Sequence, residues 1–242
     1  MSNKHYRHEI KHEITRSDLI AIRQGLRAVA EQDPHVVNGK YLIRSLYFDN
    51  IYDKALREKI DGVNMREKFR IRYYNHDTSV IHLEKKSKVN GLGTKYSCPL
   101  SAEEAQRIVD GDIDWIAETM KGVDRRPLLE ELYCKMRYQG LKPQTIVDYT
   151  REPFIYRPGN VRVTFDYDIR TGLRCTDFLN PDCITVPAVR LRTEGSEMSG
   201  GTGIIMEVKW DAYLPDIIRE VVQIHGRREG AFSKYAVCRT YD

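Results

Sequence analysis

Residues two apart on a β-strand point to the same face, and in five stretches of this sequence that spacing gathers charge. In "MEVKW", Glu207 and Lys209 share one face while Val208 and Trp210 take the other. In "RHEIKHEI", Arg7, Glu9, Lys11 and Glu13 alternate with His8, Ile10, His12 and Ile14. "REKFRIRYY" lines Arg66, Lys68, Arg70 and Arg72 on one face, opposite Phe69, Ile71 and Tyr73. "IHLEKKSK" sets Glu84, Lys86 and Lys88 against Ile81 and Leu83, and "VRVTFD" sets Arg162, Thr164 and Asp166 against Val161, Val163 and Phe165.

For any one strand, a solvated polar face over an apolar core is the simpler account. Two features of the set argue for more. Arginine and lysine dominate the polar faces, where serine, threonine, asparagine and glutamine are few. Like charges on neighbouring strands also repel unless an anion neutralises them. A sheet rolled into a barrel, apolar face outward under helices, would hold those charges in its interior. Arginine grips phosphate in a planar, bidentate way and lysine offers a point charge, so such a lining suits a polyanion. Glutamates within it suit a hard divalent cation carried with that anion.

The elements that would position these faces are legible. Alternating strands are expected in "HEIKHEI", "YLIRSLYFD", "REKFRIRYY", "SVIHLEKKSK", "TIVDYTREPFIY", "NVRVTFDYDI", "ITVPAVRLR" and "IIMEVKW". Helical spacing of Leu19, Ile22, Leu26, Val29 and Ala30 predicts a helix in "TRSDLIAIRQGLRAVAEQD", with Ser17 as its N-cap. "SAEEAQRIVDG" opens with a capping box, Ser101 and Glu104. "RPLLEELYCKMRYQG" carries Pro127 in its first turn and stops at Gly140, and "LPDIIREVVQIHG" repeats the pattern between Pro215 and Gly226. A short helix is expected in "SKYAVCRT". "NGLGTK" lacks the spacing of a Walker A loop and reads as a hairpin turn that delivers Lys95. Many strands with a few helices give an α+β class, an antiparallel β-barrel tunnel of about eight strands flanked by helices.

Composition narrows the function classes. The 242 residues show no repeat and no Pro/Gly/Ser-rich linker, so 1–242 reads as a single domain. At 41% hydrophobic and 31% charged, the chain supports a packed core. Net charge is +4, too mild for a polybasic nucleic-acid binder. Five scattered cysteines with no C-x-x-C pair suggest neither zinc site nor disulfide framework, and a cytoplasmic protein is expected. The charged start is not a secretory signal, and no apolar run approaches a transmembrane span. Docking on a membrane-protein partner stays open.

The charged strands together with "RSLYFD", "HLEKKSKVNGLGTK", "DYTREPF", "IMEVKW" and "FSKYAVC", in that order along nearly the whole chain, resemble the VTC domain of the CYTH-like triphosphate tunnel superfamily. The resemblance implies a metal-dependent polymerase that moves the γ-phosphate of ATP onto inorganic polyphosphate, with Mn2+ or Mg2+. It implies phosphate-binding or catalytic roles for Lys11, Arg70, Arg72, Lys86, Lys95, Arg151, Arg162, Lys209 and Lys234, with hydrogen bonds from Tyr149 and Ser233. Glu207 would hold the metal, with Glu9 and Glu84 as further carboxylates. The wider superfamily opens with Glu-x-Glu-x-Lys; here the stretch reads Glu9, Ile10, Lys11, His12, Glu13. This departure tilts the expectation away from a simple triphosphatase. ATP and polyphosphate or pyrophosphate are the expected partners, and nucleic acid is not.

No general base stands near these motifs, and none is needed if an ionised phosphate attacks. Two alternatives stay open: a metal-dependent tripolyphosphatase or nucleoside triphosphatase, and a non-catalytic sensor of polyphosphate or inositol pyrophosphate. Arg66 and Lys68, at a strand start, read as peripheral.

Overall fold

The computed structural model describes residues 7–90, 92–122, 125–188, 203–224, 230 and 232–239. In chain order the elements are β1 (His8–Ile14), α1 (Arg16–Val29), β2 (Glu31–Gln32), β3 (Tyr41–Asp49), α2 (Lys54–Ile60), β4 (Met65–Tyr74), β5 (Asp77–Val89) and β6 (Leu92–Leu100). Then come α3 (Ala102–Val109), α4 (Asp114–Thr119), α5 (Pro127–Gln139), β7 (Lys142–Tyr156), β8 (Val161–Thr171), β9 (Val186–Pro187), β10 (Ile204–Trp210), α6 (Asp216–Val222) and α7 (Lys234–Cys238). The class is α+β with antiparallel pairing.

The chain divides into two compact units. The first takes residues 1–42, 149–169 and 187–232. Its strands run in the order β1, β10, β8, β7, with β2 paired to β7. Ile14, Val163, Phe165, Met206 and Val208 turn one face of this sheet into a core with Leu19, Ile22 and Leu26 of α1 and Ile218 and Val222 of α6. Helix α1 starts two residues earlier than the sequence suggests. Thr15, not Ser17, is the N-cap: its Oγ1 accepts from Asp18 N while Asp18 accepts from Thr15 N, a reciprocal box satisfying two end donors.

The second unit takes residues 43–148, 170–186 and 233–242. Its strands run β7, β3, β4, β5, β6. Leu46, Phe48, Phe69, Ile71, Tyr73, Ile81 and Leu83 face a core closed by α3, α4 and α5 through Ile108, Ile116, Leu129 and Leu132. Ser101 and Glu104 form the expected capping box, and Gly140 ends α5 with φ 65°, a left-handed conformation that suits glycine.

Three local expectations change. "LGTKYSCPL" is a full strand, β6, and the turn before it falls at Asn90, whose φ is 48°. Its proline and glycine obscure the alternation, and an edge strand tolerates both. The stretch "ITVPAVRLR" contributes the two-residue strand β9; its residues from 189 on lie outside the described residues. Helices α2 and α4, of seven and six residues, are too short to show a sequence period. Gly226 also lies outside the described residues.

Candidate functional site

In the first unit the charged face of β10 meets that of β1 rung by rung. Glu9 lies opposite Lys209, and Lys11 opposite Glu207. Lys11 Nζ is 2.7 Å from Glu9 Oε1 and 3.2 Å from Glu207 Oε2. Lys209 Nζ pairs with the other oxygen of Glu207 and lies 3.6 Å from Glu9 Oε2. Two carboxylates and two ammoniums therefore alternate around a small square. Burial lowers the affinity of Lys11 for its proton, but Glu207 and Glu9 outweigh it and raise its pKa.

Strand β8 adds the next column. Arg162 lies opposite Lys209 and Thr164 opposite Glu207. Arg162 Nη2 donates to Asp33 Oδ2 at 3.0 Å and to the Tyr41 hydroxyl at 2.7 Å. Burial pushes the Asp33 carboxyl up, yet the hydrogen bonds from His35 and the charge of Arg162 hold it below its usual range. Arg151 grips the fully buried Asp166 through Nε and Nη2, both at 2.6 Å, and lies over the Tyr149 ring.

In the second unit, β4, β5 and β6 bring their charged faces together. Lys68, Lys86 and Lys95 stand directly opposite one another on the three strands, and Arg66 stands opposite Lys88. With Arg70 and Arg72 this face of the three strands carries seven cations, and its carboxylate is Glu84. Arg70 Nε donates to Glu84 Oε2 at 2.7 Å, and Lys95 pairs with Oε1. Burial pushes the Glu84 carboxyl up, but Arg70, Arg72 and Lys95 outweigh it and hold it well below the ordinary carboxylate range.

The helix-covered side of the same strands is treated differently. There Lys85 and, from α5, Lys135 are matched by Glu67 and Glu131.

Tyr47 and Ser45 of β3 complete the cationic face. Arg72 Nε donates to Ser45 Oγ at 2.8 Å, and Arg70 Nη1 donates to the Tyr47 hydroxyl at 2.9 Å. Burial pushes the Tyr47 phenol up; Arg70, Lys68 and Arg72 overcome this and bring it down to about 7. The Tyr47 ring stacks on Tyr235 of α7 at 5.0 Å, and the Tyr235 hydroxyl donates to Asp49 Oδ2 at 2.8 Å. Ser233 caps α7 by accepting from Ala236 N at 3.3 Å, with Lys234 as the first helical residue.

The residues expected from the sequence therefore fall into two groups. Lys11, Glu9, Glu207, Lys209, Arg162, Arg151 and Tyr149 belong to the first unit, and Arg70, Arg72, Glu84, Lys86, Lys95, Ser233 and Lys234 to the second. Sequence reasoning passed over Tyr47 and Ser45, although Ser45, Tyr47 and Asp49 alternate on β3 as a polar set. It also passed over Asp33 and Tyr41, which lie outside any charged alternation.

Among the described residues, no group of three or more His, Cys, Asp and Glu side chains is placed to cage a metal. Glu9 and Glu207, both within salt-bridge distance of Lys11, are instead an oxygen donor pair. Two carboxylates suit a hard divalent cation whose other positions are filled by substrate phosphate oxygens.

The chain belongs to the VTC domain family, whose family model matches residues 6–241. No curated protein compared with the chain matches it. Among solved structures, one similar chain is an adenylyl cyclase candidate from Hippeastrum described as having a dominant triphosphatase activity. It matches at a TM-score of 0.54 and 14% identity, covering 98% of this chain and 96% of that one, and shares the fold. An adenylate cyclase candidate from Bacillus halodurans matches at 0.46 and 12%, covering 88% and 83%. A protein from Pyrococcus horikoshii matches at 0.41 and 15%, covering 90% and 84%. No helix among the described residues is long and apolar enough to cross a membrane.

Proposed function

We propose that this chain is a cytoplasmic polyphosphate polymerase that transfers the γ-phosphoryl group of ATP onto a growing inorganic polyphosphate chain. The observation that carries the reading is the charge asymmetry of β4, β5 and β6. Their helix-covered face balances its lysines with glutamates, while the other face sets seven cations around Glu84. Like charges that stand opposite one another on neighbouring strands repel, and a polyanion lying over them relieves that repulsion.

In this reading Arg70, Arg72, Lys86 and Lys95 hold the phosphate chain, with Lys234 and Ser233 contributing from α7. Lys11, Lys209, Arg151, Arg162 and Tyr149 hold phosphate on the first unit. Glu207, with Glu9, holds Mn2+ or Mg2+, which would neutralise charge on the transferred group. Glu84, gripped by Arg70 and Lys95, serves better as the counter-ion those cations keep between turnovers than as a metal ligand. A terminal phosphate oxygen of the acceptor attacks the γ-phosphorus, the bond to the β-phosphate oxygen breaks, and ADP leaves. Positioning and charge stabilisation suffice for that step, and no side chain has to take a proton.

A second reading, hydrolysis of a triphosphate, draws on the shared fold of the Hippeastrum protein and its described triphosphatase activity. The ratio of products separates the two. ADP formed from ATP without matching free phosphate supports transfer. Equal ADP and free phosphate supports hydrolysis, and neither product, with tight polyphosphate binding, supports a sensor.

A further inference from the structure

Strand β8 carries two buried side-chain atoms for which the described residues supply no hydrogen-bond partner, Arg162 Nε and Thr164 Oγ1. The two residues are two apart and share a face. Across the ladder they stand opposite Lys209 and Glu207, and Glu207 stands opposite Lys11. Thr164 is 2% exposed, so bulk water does not serve its hydroxyl.

A buried hydroxyl left unpaired costs stability, and an apolar residue of the same shape would avoid that cost. The position nevertheless carries threonine. Arg162 is held in place through Nη2 by Asp33 and Tyr41. Its Nε can only donate, so the group that satisfies it must be an acceptor and is not a metal ion. The threonine hydroxyl can donate alongside it. Arg162 is itself cationic and stands opposite Lys209, and the charge of Glu207, opposite Thr164, is taken up by Lys11 and Lys209, so the acceptor can be anionic.

We infer that Thr164 is a phosphate-binding residue, its hydroxyl and Arg162 Nε donating to oxygens of one phosphoryl group beside Glu207. The inference rests on the phosphate-chain reading above and adds a residue to it. A water molecule held in the same place is the competing account.

The test uses the full chain with tripolyphosphate and Mg2+, comparing wild type, Thr164→Val and Thr164→Ser by calorimetric binding and by thermal unfolding with and without ligand. Thr164→Val is expected to melt at or above wild type without ligand, because the unpaired hydroxyl is gone. It is expected to bind tripolyphosphate about tenfold or more weakly, the worth of a hydrogen bond to a charged acceptor. Its ligand-induced rise in Tm shrinks accordingly. Thr164→Ser keeps the hydroxyl and binds like wild type. A valine variant with wild-type affinity overturns the inference, as does one that melts lower without ligand while binding normally, the signature of a structural water. A serine variant as weak as valine overturns it too. If wild type itself fails to bind tripolyphosphate, the phosphate reading falls first, which is a distinguishable result.

Discussion

Lys11 and Glu207 face each other across the β1–β10 ladder, with Nζ 3.2 Å from Oε2, while Lys209 takes the second oxygen of the same carboxylate. Seen along the strand alone, Glu207 and Lys209 resemble an exposed ion pair, which is worth little. Glu207 is buried, however, and shares both lysines with Glu9. Removing a carboxylate from water is costly unless opposite charge and hydrogen bonds compensate it. In the unliganded chain the lysines do so; with a metal–phosphate bound, the cation and the anion would divide them.

This exchange predicts the behaviour of Glu207→Gln. The metal concentration giving half-maximal activity is expected to rise tenfold or more, because one of two carboxylate donors is lost. Binding of tripolyphosphate without metal is expected to stay equal or tighten, since a negative charge has left the site. Metal titrations of activity and metal-free calorimetry check the two halves.

Arg72, buried, and Arg151, half-buried, are both proposed to touch phosphate, yet their substitution should differ. Arg72 donates to a neutral serine, and the Glu84 carboxylate beside it keeps Arg70 and Lys95, so Arg72→Ala is expected to cut turnover about 100-fold or more while the protein stays folded. Lys209→Ala should behave in the same way. Arg151 holds the fully buried Asp166 in a bidentate pair, so Arg151→Ala strands a carboxylate and should lower stability by about 3–5 kcal/mol. Turnover measured beside chemical unfolding separates these outcomes.

Glu84→Gln should be destabilising without ligand, by about 3 kcal/mol at neutral pH, because Arg70 and Lys95 lose their shared anion. The folded-state pKa of Glu84 lies below its ordinary value of 4.5. Its contribution is therefore present above that value and fades as pH falls below it. The stability gap between variant and wild type should persist at pH 6 and narrow in acid. Added tripolyphosphate should stabilise the variant more than wild type, since it replaces the missing charge.

Tyr47 gives the face a pH dependence near neutrality. Its phenol is brought from an ordinary 10 down to about 7, so the ionised form adds stability as pH rises above 7 and that gain is lost as pH falls through it. A phenolate beside Arg70 also competes with an incoming phosphate. Affinity for tripolyphosphate should fall a few-fold between pH 6 and 8 in wild type. In Tyr47→Phe that slope should flatten, which binding measured across this range will show.

The sequence carries much of this because a strand's period of two sorts side chains by face regardless of tertiary context. The split between Phe69, Ile71, Tyr73 and Arg70, Arg72, or between Val208 and Glu207, survives intact in the fold. Which cation meets which carboxylate does not follow from one strand, because register decides it. The row of Lys68, Lys86 and Lys95 needs β6, whose proline and glycine hide its alternation. Asp33 reaches Arg162 from a loop, and Tyr235 reaches Tyr47 from a five-residue helix. Thr164 was visible on its face, but its lack of a hydrogen-bond partner among the described residues is a property of packing, not of residue type.

The most direct measurement is to incubate the purified chain with ATP and Mn2+ and resolve the phosphate products by length. Phosphate chains longer than three units, accumulating with ADP and absent from Arg72→Ala, are the predicted result. Free phosphate as the sole phosphate product, or chains formed equally well by Arg72→Ala, would contradict a polymerase built on this cationic face.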